Sequence, residues 1–490
     1  LTTALHGCVL LAGLSTYWFL GTFFPLLEEF SVTDIYVVFG YLAACLLIEC
    51  GIVLTVHWLL GNRMITITAL ALLLVVNVSS LNLILNESFI LYDYMVILAV
   101  LTAGFLVAIS VVKAVLESSA IRYWVFVALL PLIAGPAAIH YFNKPIWAMG
   151  KSRHVNNVAF VQKPNVYFIG FESMGAAAVL RRTLGFKNPE LPNAFERNDF
   201  RVFRNLFTEA APTTNSMTSL LALDSDYAKR ASRIGKSPLF SGRMMSPLIE
   251  IFKSNGYTTT TLYDSTFFGK RAGPYVDEYR FNELFSICTF MEPYEVQYAF
   301  FGACRFHELW RQPRKLEGEQ IDFLMHAIEE VSRRPEPQFL FAHISPLTHS
   351  PKNYTGTSDQ MKAFREKYAK HDAKAAKNLD RIAGYLRTND PTALLFVFGD
   401  HGAWLSRNVS FEEDKIFYIQ DRYAIMGGVR PSGACASSFA QPISEKYTTT
   451  PQVARMLIRC LAGGRDAFDS SYRHPFPSGL SGNYEDYMYE

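Results

Sequence analysis

The sequence predicts a bundle of about five membrane-spanning helices, followed by an α/β domain whose mainly parallel sheet is covered by helices on both faces. Three observations predict it. Charged residues are scarce from Leu1 to Phe142 and ordinary in density from Lys144 onward. Within the first part, five apolar stretches each reach the roughly 20 residues that a helix needs to cross a bilayer. From Pro164 onward, short apolar β-prone runs alternate with stretches of helical pattern, as a covered parallel sheet requires. The length of 490 residues suits more than one domain. The pattern divides into a membrane part at 1–143, a connector at 144–163, an outer domain at 164–465 and a tail at 466–490. The 46 basic and 44 acidic residues leave a formal charge of +2, and nothing in that balance calls for nucleic acid.

The apolar stretches are about 4–27, 35–60, 64–85, 92–116 and 121–142. Their connecting segments alternate in charge. Glu28, Glu29 and Asp34 follow the first, Arg63 the second, Glu87 the third, and Lys113 and Arg122 flank the fourth loop. Basic loops stay in the cytoplasm, so with five spans everything after Lys144 lies outside. The first stretch is too long for a signal peptide and lacks a small-residue cleavage site, so it reads as a retained helix. The chain begins at Leu1 rather than Met, and a natural start upstream is expected. Glu49 lies inside the second stretch, where a carboxylate is costly; it either pairs with a neighbouring helix or reaches water, or it has a role of its own. The connector interleaves Lys144, Lys151, Arg153, His154 and Lys163 with Ile146, Trp147 and Met149. That mixture suits a headgroup layer and equally a solvated linker.

In the outer domain, 165–171 is a short apolar run of the kind a buried strand shows. Thr213, after Pro212, opens a helical pattern with a hydroxyl residue near its cap. Residues 246–253 read as a helix stopped by Gly256, 257–263 as a strand, 321–332 as a helix and 338–344 as a strand. A long helix covers about 358–387, an apolar strand 393–398, and a last helix 450–461 ends at Gly463. The tail from 467 to 490 is rich in Ser, Gly, Tyr and Pro and reads as loop. The seven cysteines show no CxxC spacing, which argues against a cysteine zinc site. Cys8, Cys45 and Cys50 fall in apolar helices; Cys288, Cys304, Cys435 and Cys460 lie in the polar part. In an oxidising compartment a Cys288–Cys304 disulfide is one reading, and free buried thiols are the other.

Ligands of open α/β sheets gather beyond the carboxyl ends of the strands. Two such ends carry Glu172, in Phe171-Glu172-Ser173-Met174-Gly175, and Asp400-His401, in Gly399-Asp400-His401-Gly402. Alone, the first reads as a strand cap and the second as a turn. Together, two carboxylates and an imidazole suit one divalent cation, Zn²⁺ or Mn²⁺. Thr213, in Pro212-Thr213-Thr214-Asn215-Ser216, is either a plain cap or a fourth ligand. As a ligand its hydroxyl would ionise more readily and become a nucleophile, with the helix N-terminus favouring an incoming phosphate. Thr214 is the alternative nucleophile. His349, in Thr348-His349-Ser350-Pro351, could donate to a phosphate oxygen or protonate a leaving group. His343, His371 and His307 are weaker candidates for that task, and Arg305, Trp310 and Trp404 could line a pocket.

With these pieces together, the chain resembles the sulfatase-like branch of the alkaline phosphatase superfamily. More narrowly it is similar to the membrane phosphoglycerol and phosphoethanolamine transferases, such as lipoteichoic acid synthases and lipid A phosphoethanolamine transferases. Asn165 to Ser173 matches that family's first strand and metal-binding glutamate. Thr213, with Ser216 and Leu220-Leu221 beyond it, matches the nucleophile segment. Thr348-His349-Ser350-Pro351 is similar to the Ser-His-Gly-Pro substrate loop, and Phe398 to Gly402 matches the metal-binding Asp-His pair. Tyr447-Thr448-Thr449-Thr450-Pro451 and the helix to Gly463 look like the closing element. The departures are specific. Sulfatases carry Cys or Ser in a Cys-x-Pro-x-Arg setting, where this chain has Thr213-Thr214-Asn215-Ser216-Met217, so no formylglycine can form. The lipid A enzymes carry Glu-Thr-x-Arg after the first strand, where this chain has Glu172-Ser173-Met174-Gly175. They also place a histidine soon after Asp-His-Gly, and none occurs here between His401 and His474.

The resemblance implies a multi-pass protein of a bacterial inner membrane whose catalytic domain faces the periplasm or exterior. It implies that Glu172, Thr213, Asp400 and His401 hold one metal, that Thr213 is the nucleophile and that His349 assists. The expected reaction moves phosphoglycerol or phosphoethanolamine from phosphatidylglycerol or phosphatidylethanolamine to a glycan or glycolipid, through a phospho-threonine. The rival readings are a membrane-anchored phosphodiesterase or sulfatase-like hydrolase, with water as acceptor, and a non-catalytic scaffold with a degenerate binding domain.

Overall fold

The computed structural model describes residues 50–59, 158–223, 246–263, 275–281, 319–351, 354–433, 435–439, 447–465 and 484–489, together with Leu47 and Gly273. The chain divides into two compact units, 1–146 with 284–314, and 147–283 with 315–490. In the first unit the described residues 50–59 are helical. Among the described residues no helix is long and apolar enough to cross a membrane. Apart from Leu47 and 50–59, the expected spans lie outside the described residues, as do Glu49, the connector up to residue 157 and the Cys288–Cys304 pair.

In the second unit the elements follow in chain order. They begin with β1 (Val166–Phe171), α1 (Ala177–Leu184), α2 (Glu190–Arg197), β2 (Arg201–Val202), β3 (Leu206–Phe207) and α3 (Thr213–Ala222). Then come α4 (Pro247–Ser254), β4 (Thr258–Tyr263), β5 (Glu278–Phe281), α5 (Glu319–Ser332), β6 (Gln338–Ile344) and α6 (Ser358–Asn389). The last are β7 (Leu394–Gly399), α7 (Lys415–Tyr423), β8 (Ala424–Ile425), β9 (Gly427–Arg430), α8 (Cys435–Ser438), β10 (Thr448–Thr449) and α9 (Thr450–Leu461), before a 3₁₀ turn at Tyr484–Tyr487. The main sheet has seven strands in the order β2-β9-β7-β1-β6-β4-β5. The five strands from β7 to β5 are parallel, while β9 and β2 add an antiparallel edge. A small second sheet runs β10-β3-β8.

The central strands β1, β6 and β7 read as nearly continuous apolar runs because both faces of the sheet are covered. Alternate residues serve opposite cores. Val166 and Phe168 of β1, Phe339 and Phe341 of β6, and Phe396 and Phe398 of β7 face α3, α4 and α9. Tyr167 and Ile169, Leu340 and Ala342, and Leu395 and Val397 face α1, α2, α5 and α6. Phe252 of α4 stacks on Phe339 at 4.0 Å between ring centroids.

Chain ends and edges hold what period and composition hid. The end of the connector packs on the domain: Phe160 is buried, its ring meets Phe252 at 5.4 Å, and its N–H donates to Asn255. The tail is not all loop, because Tyr487 is buried and its carbonyl accepts from the Gln420 amide. Cys435 of α8 and Cys460 of α9 form a disulfide with Cα atoms 5.6 Å apart. The closed loop spans a separation of 25 residues, so replacing both cysteines by serine should cost roughly 3 kcal/mol of stability. A chemical denaturation curve of the double variant, with the midpoint compared to the parent under non-reducing conditions, checks it.

Candidate metal centre

Strand alternation builds the site. On β1, β6 and β7 the even-numbered positions of β1 and β7 and the odd-numbered ones of β6 face α3. Carried one step past the strands, that alternation sends Glu172 and Asp400 to the α3 side, and within β6 it sends His343 there. Gly170 lies between β6 and β7, paired with His343 on one side and Phe398 on the other. A Cβ at Gly170 would sit 3.2 Å from the His343 ring and 3.3 Å from the Phe398 ring, so the small residue lets the imidazole lie across β1.

After β1 the backbone turns at Ser173, whose φ is 57°. Its N–H donates to Asp400 Oδ1 at 2.8 Å, and the His401 N–H donates to the same oxygen at 2.7 Å. With Oδ1 satisfied, Oδ2 faces the site. It lies 3.2 Å from His343 Nε2 and 3.6 Å from His401 Nε2. Glu172 Oε1 is 3.6 Å from His401 Nε2, and Oε2 is 3.8 Å from His343 Nε2. Thr213, the first residue of α3, sets its hydroxyl 3.0 Å from His401 Nε2 and 3.3 Å from Glu172 Oε1. Gly402 closes the turn where a Cβ would overlap the Asp421 carbonyl. Gly402→Ala should therefore destabilise the domain by about 1–3 kcal/mol, measurable as a lower unfolding midpoint.

The electrostatics follow from burial. Burial alone would raise the Asp400 carboxyl, but the neighbouring His401 and His343 and the Ser173 N–H outweigh it and hold it down at about 2. Burial alone would lower His401, but Asp400, Glu172 and the Gly402 carbonyl outweigh it and lift it to about 9. Among the described residues neither carboxylate pairs with Lys or Arg. A fully buried carboxylate with a half-buried one beside it needs a positive charge close by. His401, raised by those carboxylates, can carry that charge, and a divalent cation would carry it in its place. Glu172, Asp400 and His401 each offer a ligand atom, all within 4.8 Å of one another, and the Thr213 hydroxyl adjoins them. Two carboxylate oxygens, one imidazole and one hydroxyl fit a cation that accepts mixed oxygen and nitrogen ligands. A cation on His401 Nε2 requires the ring proton on Nδ1, where the Gly402 carbonyl waits at 2.7 Å. The Trp404 indole N–H, 2.9 Å from the same nitrogen, serves the other tautomer.

Thus Glu172, Thr213, Asp400 and His401 are brought together. Thr214 shares the helix start, and its side chain lies outside the described residues. His349 stands at the rim, exposed, with its ring 6.4 Å from that of His401. His371 lies elsewhere, hydrogen-bonded to the Pro346 carbonyl. His307, Arg305 and Trp310 lie outside the described residues. His343 is closer to the carboxylates than its weaker standing in the sequence suggests. A histidine at an α3-facing position of an apolar strand, opposite a glycine, was the signal for it. Arg407, which bonds His349, carries no sequence signal. A cavity of about 510 Å³ is lined by none of these residues; its lining includes Arg181, Lys187, Arg204 and Tyr489.

A protein-family model described as Sulfatase matches residues 164–424, more than half of the chain. Among solved structures, the chain is similar to the C-terminal periplasmic domain of EcEptC from Escherichia coli, at 13% identity and a TM-score of 0.44, over 67% of this chain and 91% of that one. It is similar to the C-terminal periplasmic domain of phosphoethanolamine transferase EptC from Campylobacter jejuni at 12% identity and a TM-score of 0.43, over 66% and 97% of the two chains. For the lipoteichoic acid synthase LtaP from Listeria monocytogenes the values are 12% and 0.38, over 66% and 74%. No curated protein matches the chain.

Proposed function

The chain belongs to the sulfatase family, and from that premise we propose that it is a membrane-bound phospho-alcohol transferase. It would move phosphoglycerol or phosphoethanolamine from a phospholipid to a glycan or glycolipid hydroxyl. The observation that carries this reading is the Thr213 hydroxyl, 3.0 Å from His401 Nε2 and 3.3 Å from Glu172 Oε1. It stands at the first position of a helix whose cap residue, Pro212, makes no side-chain cap bond. A threonine there cannot become the formylglycine that sulfate ester hydrolysis uses in this family. A helix start without a side-chain cap favours an approaching phosphate.

Glu172, Asp400 and His401 would hold one Zn²⁺ or Mn²⁺ with Thr213. Such a cation lowers the pKa of a hydroxyl it binds and offsets negative charge on a transferring phosphoryl group. In the first step Thr213 Oγ1 bonds to the headgroup phosphorus, the bond from phosphorus to the diacylglycerol oxygen breaks, and diacylglycerol leaves with a proton. In the second step the acceptor oxygen bonds to phosphorus, the bond from phosphorus to Thr213 Oγ1 breaks, and the acceptor's proton passes to Oγ1, which restores the threonine hydroxyl. His349 would hydrogen-bond the phosphate from the rim.

The membrane setting rests on the five apolar stretches before residue 143. The Cys435–Cys460 disulfide supports placement of the domain in an oxidising, extracytoplasmic compartment. Mass spectrometry of the Thr213 peptide after exposure to labelled phospholipid tests the reading. A Thr213 adduct of phosphoglycerol or phosphoethanolamine mass supports it and identifies the donor. An adduct that decays to water-only products whatever acceptor is supplied would make the protein a phosphodiesterase, and no adduct at all would remove the mechanism.

A further inference from the structure

Beside the candidate metal centre a bonded network reaches His349. Arg407 Nη2 lies 3.0 Å from His349 Nδ1 and 2.8 Å from the Ser350 carbonyl. Its Nε lies 3.0 Å from that carbonyl and 3.1 Å from the Ser350 hydroxyl. The Ser350 hydroxyl in turn donates to the Trp404 carbonyl. The His349 Nδ1 is also 3.0 Å from the Ser350 carbonyl, so it could donate there or accept from Arg407. A guanidinium only donates. Were Nδ1 protonated, one Arg407 N–H would point at another N–H. With Nδ1 as acceptor, Arg407 Nη2 donates to it, and the Ser350 carbonyl, though 3.0 Å from Nδ1, takes its donors from Arg407 Nε and Nη2 instead of from the ring. That assignment leaves the ring proton on Nε2.

Arg407 is itself held. Two guanidiniums lie against the Trp404 ring, Arg407 Cζ at 5.6 Å and Arg422 Cζ at 4.6 Å from its centroid. Arg422 is fixed by the Ser406 carbonyl and hydroxyl and by the Tyr418 hydroxyl. Trp404 adopts φ 59°, a left-handed backbone that a bulky residue rarely takes and that surrounding contacts must enforce. The Ser350–Trp404 bond and the contacts of Arg422 and Arg407 with the Trp404 ring supply such contacts.

We propose that Arg407 is a positioning residue that holds His349 in the tautomer with its proton on Nε2, so that His349 donates a hydrogen bond to the substrate's phosphate. The role for His349 rests on the transferase reading above; the tautomer does not. The hydrogen bond made by one ring nitrogen decides where the other carries its proton.

Two measurements on the full chain test it. In histidine-selective ¹⁵N spectra, with His349 assigned by the signal lost in His349→Ala, wild-type Nδ1 should show the unprotonated shift. In Arg407→Met, which keeps the apolar stem against Trp404, the His349 nitrogens should move toward the averaged position of two exchanging tautomers. In a transfer assay, Arg407→Met should lower the rate about tenfold or more, yet cause no further loss in a His349→Ala background. A protonated Nδ1 in the wild type would overturn the proposal. So would an Arg407→Met loss of equal size in both backgrounds, which would make Arg407 a substrate contact in its own right. If wild-type protein transfers nothing, the transferase reading fails while the spectra still decide the tautomer.

Discussion

Thr213→Ala should lower headgroup transfer by at least about 10³-fold while the unfolding curve stays within about 1 kcal/mol of the parent. The two effects separate because the hydroxyl does no structural work in the helix. Thr213 is the first residue of α3, and no side-chain cap bond is made there. Alanine is a better helix former than threonine. The partners of the hydroxyl, His401 Nε2 and Glu172 Oε1, keep each other and Asp400 as neighbours after its removal. Thr213→Ser keeps the hydroxyl and should retain part of the rate. Full transfer by the alanine variant, measured with labelled phospholipid and acceptor, would place the nucleophile elsewhere.

Asp400→Asn should empty the site without unfolding the domain. The amide oxygen can still accept from the Ser173 and His401 N–H groups, as Oδ1 does at 2.8 and 2.7 Å. What is lost is the charge facing His401 and His343 from Oδ2. Metal analysis of the purified variant should find the divalent ion depleted, and transfer should fall by about 100-fold or more. In the parent protein, chelation should abolish transfer and Zn²⁺ or Mn²⁺ should restore it. Adding the ion at a hundredfold excess over its Kd should raise the unfolding free energy by roughly 2.7 kcal/mol. Unchanged metal content in Asp400→Asn, or a metal-free parent with full activity, would sink the assignment of this cluster as a metal site.

Both predictions use residues that are visible as short motifs. Glu172 and Asp400-His401 end apolar runs that fold as β1 and β7, and strand ends in a parallel sheet converge. Those runs were legible because a strand covered on both faces must be apolar throughout. The long helices were legible because each carries its own caps and periodicity, as Ser246 and Thr357 show by accepting from the third residue beyond them. The two-residue strands β2, β3, β8 and β10 were not. Segments that short have no period, and they pair only because the sheet edge and the tail stand beside them.

The sequence by itself determined the alternation of strand and helix, the ends at which carboxylates could meet, and the threonine at a helix start. It did so because those signals are local, written in period and in neighbouring residues. Only the tertiary structure decided that His343 lies against Asp400, that Cys435 pairs with Cys460, and that Arg407 reaches His349. Each of those depends on register between segments far apart in the chain. His343 and Asp400 are 57 residues apart and meet because β1 is placed between β6 and β7 with Gly170 opposite the imidazole. No pattern within one segment encodes that placement, because it arises when the two cores of the sheet are packed.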